Sequence, residues 1–291
     1  MLEASETRYA TYRVAAIQMV SGEDWERNVT SALTLLEQGV AQGARLLVLP
    51  ENWAVFDSEG YREFAGNASL SQQVLAALSD CCRQHGVWVC AGTVPVPSEV
   101  PGKCVSRCCL LNDRGEVVGA YDKLHLFDAE VDDAHSRYTE SAYFTPGQGV
   151  HIVTTPFGKV GLAVCYDLRF PELFRWMAQQ GAELFLVPSA FTRVTGQAHW
   201  SVLTRARAIE NTAYVVAVNQ GGSHSNGRET WGHTCVIDPW GEVLFEREEM
   251  GAGVVVVELD RSRINTWRQK MPTLQHTRLA IQLPDSMRSS S

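Results

Sequence analysis

No apolar run in the chain approaches the eighteen or so residues that a bilayer-crossing helix needs. Residues 1–12 are polar and lack the apolar centre of a secretory signal. The expected location is therefore the cytoplasm, with no membrane partner. Positive charge is scarce as well: 25 Lys and Arg face 33 Asp and Glu, for a net charge of -8. An acidic chain without a basic run is a poor ligand for nucleic acid or an anionic surface, so a small molecule is the expected partner. The C-x-x-C spacing of zinc and redox sites is missing. The eight cysteines, including the adjacent pairs Cys81-Cys82 and Cys108-Cys109, read as free thiols of a reducing compartment. No G-x-S-x-G surrounds Ser189, which argues against a serine elbow. His199, His224 and His233 lack the i, i+4 pairing of a helical zinc site, and no phosphate loop or dinucleotide fingerprint occurs. Neither a metal nor a cofactor is expected.

What is present begins with Val160-Gly161-Leu162-Ala163-Val164-Cys165-Tyr166-Asp167-Leu168-Arg169-Phe170-Pro171-Glu172. Residues 160–164 form a continuous apolar run, as in a strand buried on both faces. The run ends on a cysteine. Pro171 and Glu172 then suit the first turn of a helix. Cys165 is thus predicted at a strand-to-helix elbow, where a nucleophile is exposed beside free backbone N–H groups.

Before it, residues 12–20 read as a strand and 25–42 as a helix on Val29, Ala32, Leu33, Leu36 and Val40. Residues 46–49 are a buried strand ending at Pro50-Glu51, 70–84 a helix, and 87–94 a strand. The segments 105–111 and 117–121 flank Asn112-Asp113-Arg114-Gly115, a hairpin signal. Residues 127–149 are polar and aperiodic, and a loop of that length is usually functional or disordered. The plan then repeats. Residues 181–188 echo 43–50, and 236–244 echo 110–118. Two echoes in one order imply one fold of two similar halves. Two sheets packed face to face with helices outside satisfy the pattern; a doubly wound open sheet fits the hairpins less well. The tail from Arg261 is basic, then Ser-rich, and is expected to fray or pack on a partner.

Three strand ends carry reactive groups: Pro50-Glu51-Asn52, Asp122-Lys123-Leu124-His125 and Cys165-Tyr166-Asp167. Strand ends converge on one rim of a sheet protein. A carboxylate can take the thiol proton, an ammonium can hold charge on a carbonyl oxygen, and the thiolate attacks. A cationic Lys123 should also favour the thiolate.

These stretches, with Tyr121-Asp122-Lys123-Leu124-His125-Leu126-Phe127, resemble the Glu-Lys-Cys signature of the nitrilase (carbon–nitrogen hydrolase) superfamily across residues 12–280. The resemblance implies an α/β fold, a four-layer αββα sandwich in one domain, flanked by an extension (1–11) and a flexible tail (281–291). It implies a homodimer or larger homo-oligomer, associated through the sheets into an eight-layered dimer. It also implies a second active-site glutamate before Pro146-Gly147: Glu140, with Glu130 as the alternative. The stretch 188–200, with Arg205-Ala206-Arg207-Ala208-Ile209-Glu210 and Trp231-Gly232-His233, is similar to the branch holding deaminated-glutathione amidase and ω-amidase. The implied reaction cleaves a linear, carboxylated amide to carboxylate and ammonia through a Cys165 thioester, most closely as in the first of the two. Glu51 is the base, and Lys123 and the Tyr166 N–H hold the oxyanion. Arg169, Arg193 and Phe191 are the candidate substrate-binding residues. The rivals are ω-amidase, a nitrilase proper, or a silent interaction module of the same fold.

Overall fold

The computed structural model describes residues 9–284 and Met287; most of the expected extension and part of the expected tail lie outside the described residues. Strand Thr11–Gln18 opens the fold and is buried on both faces from Val14 onward. Its side chains divide by the strand period of two. Val14 and Ala16 join Leu46, Val48, Cys90 and Leu110 on one face, in a core shared with Val160, Leu162, Leu184 and Leu186. Ala15 and Ile17 join Leu47 and Val89 on the other face, packed on Leu36, Val74 and Leu78 of two helices.

The first sheet runs Gly253–Asp260, Thr11–Gln18, Leu46–Val48, Trp88–Cys90, Cys104–Leu111 and Val94–Pro97, with Val117–Asp122 also paired to Cys104–Leu111. The second runs Val243–Glu246, Cys235–Ile237, Tyr214–Asn219, Leu184–Ser189, Gly158–Leu162 and Ile152–Thr155. Each has a parallel centre and antiparallel flanks. Helices Trp25–Ala41, Ser58–Gly66 and Ala68–His85 cover the first sheet. Pro171–Gln179 and Arg193–Asn211 cover the second, with Phe174 edge-on to Phe185 at 5.2 Å. The architecture is the four-layer αββα sandwich, and not the open doubly wound sheet.

The internal echo is structural. Asn112 Oδ1 accepts from the Arg114 and Glu116 N–H groups, and Asp238 Oδ1 from those of Trp240 and Glu242. Both loops are thus closed by the same Asx interaction. The register slips at Leu110/Leu111 in one hairpin and at Val236/Ile237 in the other, which are equivalent positions.

Three expectations needed correction. The segment 87–94 is two strands, Trp88–Cys90 and Val94–Pro97. They part at Gly92, whose φ is +54° and where a Cβ would lie 2.0 Å from the Pro50 carbonyl oxygen. Only glycine permits that approach, and it seats the Pro50-Glu51 turn. The first helix buries Asn28, Ala32, Leu35, Leu36 and Gly39, with Val29, Leu33 and Val40 packed at the edge, so the expected stripe faces the core but its centre is rotated slightly. Gly39 explains the rotation: a Cβ there would sit 2.9 Å from Ala15 and Leu47, so this face lies closest to the sheet. Residues 262–270 do not fray. They form helix Ser262–Lys270, pinned to the second half by Arg268, which donates to the Ala182 carbonyl at 2.6 Å and to that of Thr212 at 3.2 Å.

Candidate active site

Glu51 and Lys123 leave strand ends of the first sheet, and Cys165 leaves one of the second. The site therefore lies on the rim where the two sheets meet. Strand Gly158–Leu162 gives way to a 3-10 turn, Cys165–Arg169, and then to helix Pro171–Gln179. Cys165 has a φ of +49°, a left-handed conformation that costs a non-glycine residue roughly 1–3 kcal/mol. The surroundings hold it there.

The main holding group is Asp167, fully buried. Its Oδ2 accepts from the Val164 N–H at 2.8 Å and the Tyr121 hydroxyl at 2.7 Å. Its Oδ1 lies 2.6 Å from His125 Nδ1 and accepts the His125 N–H at 3.3 Å. The His125 ring stacks on Phe170 at 3.6 Å. One carboxylate thus ties the cysteine turn to the segment that carries Lys123. Burial, reinforced by the Asp167 charge, holds the Tyr121 hydroxyl well above its usual range, so it stays a donor.

Lys123 is 2 % exposed. Its Nζ donates to Glu51 Oε1 at 2.7 Å and to Glu140 Oε1 and Oε2 at 2.9 and 2.8 Å. Burial by itself favours the neutral amine. The charges of Glu140 and Glu51 outweigh it and hold the ammonium well above its ordinary range. Burial pushes the Glu140 carboxyl up, against the pull of Lys123, and the Phe127 N–H donates to its Oε2 at 2.6 Å. Glu140 stands on a 3-10 turn, Glu140–Ala142, within the stretch that reads as a polar loop. Glu130 is exposed on the short strand Asp128–Glu130, so Glu140 is the glutamate brought to Lys123. Gly147 closes this side: a Cβ would lie 2.0 Å from the Asp122 carbonyl oxygen.

Burial pushes the Cys165 thiol well above its ordinary range, and the charge of Glu51 adds to the rise. Lys123 and the Ala190 N–H pull the other way without winning. Lys123 thus favours the thiolate, as expected, but burial and Glu51 outweigh it. Two carboxylates surround one ammonium, so the local charge is negative and the thiol keeps its proton. It hydrogen-bonds Glu51, the base placed to remove that proton. The Tyr166 N–H begins the turn, among the helix N–H groups that have no carbonyl partner within a helix.

Cys165 faces two spaces. The larger is a cavity of about 460 Å³ walled by Glu51, Lys123 and Glu140, with Phe56, Tyr138 and Arg228 farther out. The other is a narrow slot lined by Phe127, Tyr166, Arg169, Phe191 and Thr192. Arg169 lies over the Tyr166 and Phe191 rings at 5.7 and 5.6 Å and bonds His199 Nδ1 at 3.2 Å. Arg193 is not brought to either space; it is an exposed residue 3.3 Å from Glu229. Among the described residues no cluster of His, Cys, Asp or Glu is arranged to hold a metal ion.

Gln220 escaped the sequence reading. Its Nε2 donates to the Glu51 carbonyl at 3.0 Å and to Ser21 Oγ at 2.9 Å, and its Oε1 accepts the Ser21 N–H at 3.1 Å. It follows strand Tyr214–Asn219 directly, so it stands at a fourth strand end on the same rim. That position was the available signal.

The carbon–nitrogen hydrolase family profile matches residues 13–269. A deaminated glutathione amidase of Yersinia enterocolitica is 39% identical over 289 residues, covering 95% of this chain and 98% of its own. The structure of Saccharomyces cerevisiae Nit3, a member of branch 10 of the nitrilase superfamily, superposes with a TM-score of 0.81 at 29% identity, covering 93% of this chain and 97% of that one. A Nesterenkonia amidase, captured with the acetamide moiety of fluoroacetamide bound covalently at its active-site cysteine, gives 0.76 at 27% identity, over 92% and 94% of the two chains.

Proposed function

The chain belongs to the carbon–nitrogen hydrolase family, and from that premise we propose that Cys165, Glu51 and Lys123 hydrolyse the side-chain amide of deaminated glutathione or a close analogue. Hydrolysis of a carbon–nitrogen bond outside the peptide backbone is the family's chemistry. The observation that carries the residue assignment is the buried contact of Lys123 with Glu51 at 2.7 Å, on the wall of the cavity that opens on Cys165.

Glu51 takes the thiol proton as sulfur attacks the amide carbon. The oxygen, now negative, is held by the Lys123 ammonium and the Tyr166 N–H. The C–N bond breaks as Glu51 passes its proton to the departing nitrogen, leaving a thioester on Cys165. Water then gives a proton to Glu51 and its oxygen to the acyl carbon. Sulfur leaves and recovers the proton. Glu140 keeps Lys123 charged and in place. From a primary amide the departing group is ammonia. Deaminated glutathione has no primary amide, so there an amine departs.

The test is a panel of amides scored for amine or ammonia release, with the intact protein quenched and weighed during turnover. An acyl mass on Cys165 is the expected result. Hydrolysis of nothing in the panel, or an adduct on another residue, would overturn the assignment.

Arg169 is proposed to meet the keto-acid carboxylate across the slot, since its fork binds two oxygens at once. Arg169→Met should then raise KM about tenfold or more for a carboxylated acyl group. An uncharged acyl amide of similar size should change far less. Equal losses on both would make Arg169 structural, a brace between His199 and the two rings. Arg193, paired with Glu229, is expected to be nearly neutral in the same comparison.

Among the described residues no helix is long and apolar enough to cross a membrane. All eight cysteines are free, which supports a reducing, cytoplasmic setting. Val194, Val202 and Ile209 remain exposed along helix Arg193–Asn211 and support self-association through that layer.

A further inference from the structure

We propose that Arg228 is the anion-binding residue of a subsite for the amine portion of the substrate, and that it selects amides whose departing amine ends in a carboxylate. The proposal rests on the amide-hydrolase reading above.

Direction comes first. Glu51 hands its proton to the departing nitrogen, so the amine portion must leave on the Glu51 side. The slot beside Arg169 does not touch Glu51. The larger cavity does, and it continues past Asn52 and Phe56 to Arg228. Size agrees: about 460 Å³ lies in the range that holds a drug-sized ligand, far more than ammonia requires.

Charge is the third argument. The carboxylates on the cavity wall are already engaged. Glu51 and Glu140 are bound to Lys123, and Asp57 accepts the Glu59 and Gly60 N–H groups at 2.8 and 3.4 Å. Glu229, next to Arg228 in sequence, is bound to Arg193. Among the described residues no carboxylate is within 4.0 Å of the Arg228 guanidinium. Instead its Cζ sits 4.6 Å from the Phe56 ring centre and 5.0 Å from that of Tyr138. Two aromatic rings thus flank a half-buried guanidinium, which hydrogen-bonds the Tyr138 hydroxyl and keeps further N–H groups for a ligand.

The backbone beneath Arg228 is fixed before any ligand arrives. It is the last residue of the loop that joins Gly221–Ser223 to Glu229–Trp231, at the base of that hairpin turn. The His224 N–H donates to the Arg228 carbonyl at 2.9 Å, and the Arg228 N–H to Asn226 Oδ1 at 3.1 Å. Asn226 Nδ2 donates to the Phe56 carbonyl at 2.6 Å, and His224 Nδ1 lies 2.7 Å from the Ser21 carbonyl. A preorganised cation loses little freedom on binding.

The experiment uses three γ-amides of 2-oxoglutaric acid, with alanylglycine, with alanylglycinamide, and with ammonia. Arg228→Met should raise KM for the alanylglycine amide about tenfold or more, with kcat within about twofold. The other two substrates should keep their wild-type constants, and Arg228→Lys should recover part of the loss. Equal losses on all three, or no loss on the first, would overturn the subsite. A second measurement needs no turnover: calorimetric titration of the Cys165→Ala protein with alanylglycine and with alanylglycinamide, with and without Arg228→Met. Carboxylate-dependent binding that disappears with Arg228 supports the subsite even if no amide is cleaved, and indifference to the carboxylate sinks it. Failure of the wild-type protein on all three amides, with binding intact, would instead sink the amidase reading.

Discussion

Cys165→Ala is expected to abolish amide turnover while the protein stays folded. The loss should be at least about a thousandfold, because removing a nucleophile also removes what the base and oxyanion donors act on. The thermal midpoint should move little. The change deletes one sulfur atom at a buried edge, alanine tolerates the +49° φ no worse than cysteine does, and Asp167 still ties the turn to Tyr121 and His125. Cys165→Ser should fail as well, since a buried hydroxyl beside a carboxylate is far harder to deprotonate than a thiol. Steady-state kinetics and an unfolding scan on the same preparations check this. Turnover near the wild-type rate in either variant would place the nucleophile elsewhere. Collapse of the midpoint alongside activity would make Cys165 a packing residue.

Glu51, Lys123 and Cys165 were legible because each follows a segment that reads as a strand, and strand ends share a rim whatever their order. Glu140 was found through Pro146-Gly147, and its competitor Glu130 is excluded only by where the short strand Asp128–Glu130 points it. The residues that hold these three in place were less visible. Asp167 stood out as a charge beside the cysteine, but its partners Tyr121 and His125 come from the other sheet, and no spacing along the chain announces that meeting. Gln220 and Arg228 are placed by tertiary contacts of the same kind. Helix Ser58–Gly66 was missed because it buries only Gly60, Tyr61 and Phe64, too few apolar positions to set a period. The break at Gly92 was hidden by apolar flanks that read as one strand. It exists because the Pro50 carbonyl leaves no room for a side chain.

Lys123→Met should be costly in two separable ways. Turnover should fall on the order of a hundredfold or more, the usual loss when a principal oxyanion partner is removed. Lys123→Arg should not rescue it, because a planar guanidinium does not fit a space shaped for a compact ammonium between two carboxylates. Stability should fall too, by about 3–5 kcal/mol at neutral pH, the cost of leaving buried charge uncompensated. This second loss depends on pH, and its sign follows from Glu140. Burial already raises that carboxyl above its ordinary value, and Lys123 is what restrains the rise. Without the lysine, the folded-state value climbs further above the unfolded one. A carboxyl raised on folding binds its proton more tightly in the folded state. It therefore favours the fold at low pH, and the advantage disappears as pH rises through the folded value. Denaturant unfolding should accordingly show a smaller deficit for Lys123→Met near pH 5.5 than near pH 8. The double variant Lys123→Met, Glu140→Gln should recover much of the deficit at pH 8, because one of the two facing charges is gone. A deficit that stays constant with pH and is untouched by Glu140→Gln would mean that Lys123 contributes packing alone, and that the Glu51–Lys123–Glu140 cluster does not behave as one charged unit.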